Sequence, residues 1–211
     1  MNEKKTNLLK KLLKNPLIYK AWWFIGKNDP RSLPSKKKKY DLVKFYGKKF
    51  GIKTLVETGT FQGRMILAVK DCFKKIYSIE LDEFLYCKAF EKLKKYKHIN
   101  LFHGDSSIVL PRIIKEINEP ILFWLDAHYS GGITSKGKEN TPILKELISI
   151  FKHETNNHVL LIDDADCFNG TNGYPTLEQV NAILYIFKPH NWVFKIEDNV
   201  IIIYEGRDKF V

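Results

Sequence analysis

Cysteine is scarce. The 211 residues contain three, Cys72, Cys87 and Cys167, which stand far apart and form no Cys-x-x-Cys pair. An odd, scattered set argues against a disulfide framework or a cysteine-rich zinc site and favours a reducing, cytoplasmic setting. Long apolar runs are missing as well, so nothing in the sequence reads as a bilayer span. The stretch Ala21 to Ile25 is too short for the apolar region of a signal peptide. There is no internal repeat, and acidic residues are outnumbered: Lys and Arg total 35 against 24 Asp and Glu.

What is present suits one domain with an appended arm. Apolar residues make up 44% of the chain, enough for a sizeable core. The net charge of +11 favours anionic partners: phosphorylated substrates, nucleic acid or an anionic membrane surface. A lysine-rich composition by itself produces such a surface, so the charge speaks to association and not to chemistry.

Residues 1–50 differ from the rest. Leu8, Leu9, Leu12 and Leu13 form one helical stripe among lysines, interrupted by Pro16. Trp22 and Trp23 follow, then a turn-rich stretch from Asn28 to Pro34. The run Lys36 to Lys39 opens a second helical pattern with Tyr40, Val43, Phe45 and Tyr46. The segment is expected to pack on the main sheet or cap the site. Peripheral membrane contact through residues 1–40 and pairing in a homodimer stay open.

From residue 51 to 211 the pattern is regular. Strands are expected at Thr54–Glu57, Ile76–Glu80, Ile99–His103, Ile121–Asp126 and His158–Asp163, with helices between them near 63–73, 82–96, 107–118 and 141–153. This alternation predicts an α/β, Rossmann-like, doubly wound sheet that is mostly parallel. A helix over Thr176–Phe187 then leads to Val193–Ile196 and Val200–Tyr204. Those two strands flank Glu197-Asp198-Asn199, which reads as a three-residue turn closing an antiparallel C-terminal hairpin.

Ligands of open parallel sheets sit beyond the carboxyl ends of the strands, and here every such end carries an acid. The first runs into Glu57-Thr58-Gly59-Thr60-Phe61-Gln62-Gly63, the second into Glu80-Leu81-Asp82 and the third into Gly104-Asp105-Ser106. The fourth ends in Asp126-Ala127-His128-Tyr129 and the fifth in Asp163-Asp164-Ala165-Asp166. Gly59 and Gly63 let the backbone bend closely past a ligand. The middle glycine of a Gly-x-Gly-x-x-Gly dinucleotide turn is absent, and Glu57 stands where it would repel a pyrophosphate. Both features disfavour a nicotinamide-dependent dehydrogenase. Glu57 suits a cation such as the ammonium or sulfonium of S-adenosylmethionine. Glu80 is placed to accept from ribose hydroxyls, and Asp105 and Ser106 to bond adenine.

These residues resemble the class I S-adenosylmethionine-dependent methyltransferases over about residues 51–205. Val56 to Gly63, with Glu57, Gly59, Thr60 and Gly63, looks like their first motif. Ser78-Ile79-Glu80 looks like the ribose-binding acidic end, and Gly104-Asp105-Ser106 like the adenine loop. The resemblance implies a seven-stranded sheet with an antiparallel last strand, and that cofactor. Phe123 to Tyr129 and Leu161 to Asp164 are similar to the metal-dependent O-methyltransferases, the catechol type and those acting on macrolide or aminocoumarin sugars. Carried over, Asp126, Asp163 and Asp164 would hold Mg²⁺, with Asp126 also beside the cofactor and counted with the catalytic residues. The lysine shortly after the strand-four aspartate of the catechol pattern is missing. His128 stands two residues on from Asp126 as the alternative general base.

The expected activity is methyl transfer to an oxygen of a small molecule or glycan, an anionic one included. A nucleic-acid methyltransferase is the alternative that the charge favours, but no Asn-Pro-Pro-Tyr-like motif follows strand four. A non-catalytic module that binds S-adenosylmethionine is the third reading. Ser130 to Lys138, glycine-rich, reads as a lid or a plain loop.

Overall fold

The computed structural model describes residues 33–126, 141–188 and 191–206. Helix α1, Leu33–Phe50, precedes strand β1, Thr54–Thr58. Then follow α2 (Arg64–Val69, running into a 3₁₀ turn at Lys70–Cys72), β2 (Lys75–Glu80), α3 (Glu83–Leu93), β3 (Ile99–His103), α4 (Ser106–Lys115) and β4 (Ile121–Leu125). After α5 (Ile143–Phe151) come β5 (Val159–Ile162), a 3₁₀ turn at Ala165–Cys167, α6 (Leu177–Phe187), β6 (Trp192–Glu197) and β7 (Val200–Glu205).

The seven strands form one sheet in the order β3-β2-β1-β4-β5-β7-β6. The first five are parallel, and β7 inserts antiparallel between β5 and β6. The central strands β1, β4 and β5 are buried along their whole length. That explains the continuous apolar sequence of β4 and β5, since helices cover both faces of a parallel sheet. One face packs Val56, Phe123 and Leu160 against Leu110 of α4, Leu147 of α5 and Leu184 of α6. The other packs Leu55, Leu122 and Leu161 against Val43 and Tyr46 of α1, Ile66 of α2 and Leu93 of α3. The second half of the N-terminal arm is thus a packed helix.

Most elements fall where expected, with shorter helices. The first of them passes into a 3₁₀ turn at Lys70, and α5 begins only after Pro142, which stands at its N-cap. The hairpin departs from the three-residue turn. Glu197 pairs with Val200, leaving Asp198 and Asn199 alone at the corner with φ of 49° and 64°. Asp and Asn tolerate the left-handed region, and a two-residue turn of this kind matches the twist of the strands. No helix among the described residues is long and apolar enough to cross a membrane.

The strand order reverses between β1 and β4. Such a switch point opens a crevice at the carboxyl ends of the strands. Glu57 lies on one side of it and Asp126 on the other.

Candidate active site

The turn after β1 is built by backbone geometry. Gly59 and Gly63 have φ of 85° and 65°, and Phe61 is held at 47°. The amides of Gly59 and Thr60 both donate to the carbonyl of Ile79 on β2, and Gly63 N donates to the Thr60 carbonyl at 2.8 Å. Lys92 Nζ reaches over from α3 to the Gln62 carbonyl at 2.9 Å. A Cβ on Gly63 would stand 3.0 Å from Leu93 Cδ1, so the turn runs hard against α3.

Two acids bracket this turn. Ser78 lies opposite Glu57 in the parallel register and donates to Glu57 Oε2 at 2.5 Å. Thr60 Oγ1 lies 2.5 Å from Ser78 Oγ. Because Ser78 has one proton and gives it to Glu57, Thr60 is the donor of that second bond. Glu57 is 1% exposed. Burial pushes its pKa well above the ordinary carboxylate range; Ser78 holds it back, while Asp126 and Glu80 push it further up. Glu80 turns its carboxylate to the same turn: Oε2 accepts from Phe61 N at 2.7 Å, and Oε1 from Asp82 N at 2.9 Å. Burial raises its pKa against the pull of those backbone donors. The two glutamates are thus electrostatic neighbours at one rim.

Asp105 and Ser106 begin α4. Asp105 Oδ1 accepts from Ser107 N at 2.9 Å and from Ser107 Oγ at 2.7 Å, so this carboxylate caps the helix. Ser106 is buried beside a residue not foreseen in the sequence, Glu146 of α5. Glu146 is 1% exposed. Burial raises its pKa to about 7, opposed by the Ser106 and Thr58 hydroxyls and aided by Asp105 and Asp126. Within the described structure neither Glu146 Oε1 nor Thr58 Oγ1 has a hydrogen-bond partner at bonding distance. Glu146 lines a small, open cleft with Leu125, Asp126, Thr141, Asp163 and Tyr174. Phe168 packs edge-on against Tyr174 there, ring centroids 5.3 Å apart. One signal was available in the sequence. Ile143, Glu146, Leu147 and Ile150 share one helix face, so the acid interrupts an apolar stripe.

Asp126 and Asp163 each take one further rung beyond their strand. Asp126 N donates to the Thr58 carbonyl and Asp163 N to the Leu125 carbonyl, both at 3.0 Å. Asp164 follows in the left-handed region at φ 55°. Into this cluster α1 inserts Lys39, whose Nζ lies 2.5 Å from Asp163 Oδ1 and 3.5 Å from Asp164 Oδ1. Burial alone would lower the lysine pKa, but Asp163, Asp164 and Asp126 outweigh it, so the ammonium stays charged. Burial and the charge of Asp126 push Asp163 up to about 6 despite the lysine. Among the described residues no group of three or more His, Cys, Asp or Glu side chains is arranged to hold a metal ion. Two of the three donors expected for Mg²⁺, Asp163 and Asp164, meet the Lys39 ammonium, an arrangement that does not fit the ion. The next residue of α1, Tyr40, is half-buried within electrostatic reach of Glu57 and Arg64. His128 and the segment Ser130 to Lys138 lie outside the described residues.

No family model and no curated protein sequence matches the chain. Solved structures do. The S-adenosylhomocysteine-bound methyltransferase PaMTH1 of Podospora anserina superposes with a TM-score of 0.58 at 16% identity, covering 98% of this chain and 97% of that one. An O-methyltransferase of Bacillus cereus in complex with S-adenosylhomocysteine gives 0.56 at 14% identity, over 79% of each chain. The O-methyltransferase TomG of Streptomyces achromogenes, involved in tomaymycin synthesis and solved with S-adenosylmethionine, gives 0.57 at 12% identity, over 80% of each. The chain has the class I methyltransferase fold. On this methyltransferase fold the rim just described gathers Glu57, Thr60, Glu80 and the glycine turn at one side of the switch point. Asp126, Asp163, Asp164, Lys39 and Glu146 stand at the other.

Proposed function

We propose that the chain is a methyltransferase that uses S-adenosylmethionine and methylates a hydroxyl of a small molecule or sugar. One observation carries this reading. Two buried glutamates on adjacent strands bracket a left-handed glycine turn at the switch point, and one of them is bonded to the turn through Phe61 N. The carboxyl group of Glu57 beneath the bend is a poor neighbour for a pyrophosphate and a good one for a cationic nucleoside, whose charge would favour its ionised form. Glu80 has lone pairs remaining for ribose hydroxyls, because each carboxylate oxygen accepts twice. When bound, the cofactor supplies an electrophilic methyl group on sulfur. The chain's task is then to hold the acceptor in line with it, and such positioning accounts for much of the rate in transfers of this kind.

The cleft beyond β4 and β5 supports a neutral hydroxyl acceptor. Its polar groups include Asp126, Asp163 and Glu146, and its walls include Leu125, Ile143, Ile162 and Phe168. Carboxylates there repel an anion, so the +11 charge belongs to other surfaces. The sequence reading that Mg²⁺ activates the acceptor is not carried into this mechanism, because Lys39 meets the acids that would hold it. His128 remains the proposed base, and a cytoplasmic setting remains part of the proposal.

Calorimetry tests the reading directly. S-adenosylmethionine and S-adenosylhomocysteine are expected to bind and NAD not to. Glu80→Ala should weaken S-adenosylhomocysteine about 10–100-fold, the value of a hydrogen bond to a charged group. Binding of NAD, or an unchanged affinity in Glu80→Ala, would refute the assignment. Transfer of labelled methyl to a panel of hydroxylated acceptors identifies the substrate class.

A further inference from the structure

We propose that Lys39 occupies the place of a divalent cation in this site, so that its ammonium faces Asp163 and Asp164, within electrostatic reach of Asp126, and no metal ion binds there. The inference rests on the methyltransferase reading for its meaning, but not for its geometry. Lys39 Nζ contacts Asp163 and Asp164 directly, and Asp126 acts on it electrostatically. The side chain is 17% exposed and its main partner 7%. A lysine so placed is part of the built site, not a solvated surface charge.

The lysine is held there by its helix. Leu42, Val43 and Tyr46 of α1 are buried in the core, and the preceding Lys38 donates to Asp198 in the β6–β7 turn at 2.5 Å. Helix α1 is therefore seated at its core face and tied at its edge. The acids are equally fixed. Asp126 and Asp163 are bonded through their amides to the carbonyls that end β1 and β4.

The contacts of Asp163 Oδ1 leave that oxygen no lone pair for a metal ion in company with the lysine. Asp163 Oδ1 takes Lys39 Nζ and also the amide of Asp164 at 2.8 Å, which uses both of its lone pairs. A magnesium ion demands near-ideal octahedral oxygen geometry. To bind, it would have to displace an ammonium that its helix keeps beside the same carboxylates, and the two cations would then repel each other. Acids that would otherwise form a metal site are instead partly compensated from within the chain.

Mn²⁺ binding to the full-length protein, followed by electron paramagnetic resonance and calorimetry without cofactor or acceptor, tests this. Wild-type protein is expected to bind no Mn²⁺ at this cluster at millimolar metal. Lys39→Met should create a site at least about tenfold tighter, and adding Asp163→Asn to Lys39→Met should abolish it. Wild-type Mn²⁺ binding that disappears in Asp163→Asn would overturn the proposal, and so would a folded Lys39→Met protein that gains no Mn²⁺. Should Lys39→Met fail to fold, the wild type and Asp163→Asn decide alone: equal absence of binding supports the proposal, and binding by the wild type alone overturns it. Since the readout involves no methyl transfer, its failure leaves the cofactor assignment intact, and failure of cofactor binding leaves this result intact.

Discussion

Replacing Glu146 with Gln should stabilise the protein in mildly alkaline solution and do so far less in acid. The side chain is 1% exposed, and its pKa rises from 4.5 to about 7 in the folded state. A tenfold change in proton affinity corresponds to about 1.4 kcal/mol, so ionising Glu146 inside the protein costs about 3 kcal/mol more than ionising it in the unfolded chain. Between those two values the folded state holds more protons than the unfolded state. Stability therefore falls as pH rises through this window, and the loss is complete above the folded pKa. Gln keeps the shape and cannot ionise, so it escapes the loss. Urea unfolding of both proteins at about pH 5 and about pH 8 should give a difference, variant minus wild type, that grows by roughly 2–3 kcal/mol toward the higher pH. Asp163, pushed up to about 6, is common to both proteins and cancels. A difference that does not change with pH would mean that Glu146 ionises as in water and would refute the burial argument.

The other predictions concern the glycine turn and a buried histidine. Gly63→Ala should destabilise the chain by about 1–2 kcal/mol in urea, the cost of a left-handed residue bearing a Cβ, increased by the contact with Leu93 at 3.0 Å; an unchanged midpoint would mean that the turn relaxes. His158 should stay neutral well into acid. Burial first, then His153 and Lys188, lower its pKa to about 3, while Ile121 N donates to its Nδ1 at 3.0 Å. Carbon chemical shifts of its ring should show no step near the ordinary histidine value of about 6.5, and a step there would contradict the packing. The sign for stability is opposite to that of Glu146. The unfolded chain takes up the proton first, so the contribution of His158 is full above about 6.5 and is lost as the pH falls toward 3.

The strands could be read because β-branched and apolar residues fill both faces of a covered parallel sheet, as in Ile121 to Leu125. The acids at the strand ends were equally visible, since a polar residue directly after such a run has a fixed place on the rim. Ser78 stood out only as part of a motif. Its role depends on the register that sets it opposite Glu57, which requires the pairing of two strands separated by a helix. Lys39 could not be distinguished from its neighbours in a run of four lysines, because only the seating of α1 on the sheet decides which ammonium reaches Asp163. Asp105 reads as an adenine ligand, and its carboxylate also caps α4. A residue type suited to both purposes cannot reveal from sequence which of them it serves.

Glu80 grips the glycine bend through the amide of Phe61, a residue held at φ 47°. The same carboxylate is the proposed ribose acceptor, so the tension on that amide and the grip on a nucleoside share one lever. Sugar hydroxyls drawing on the lever would loosen or tighten the bend. Hydrogen exchange at Phe61 would then serve as a gauge of whether the nucleoside seat is filled.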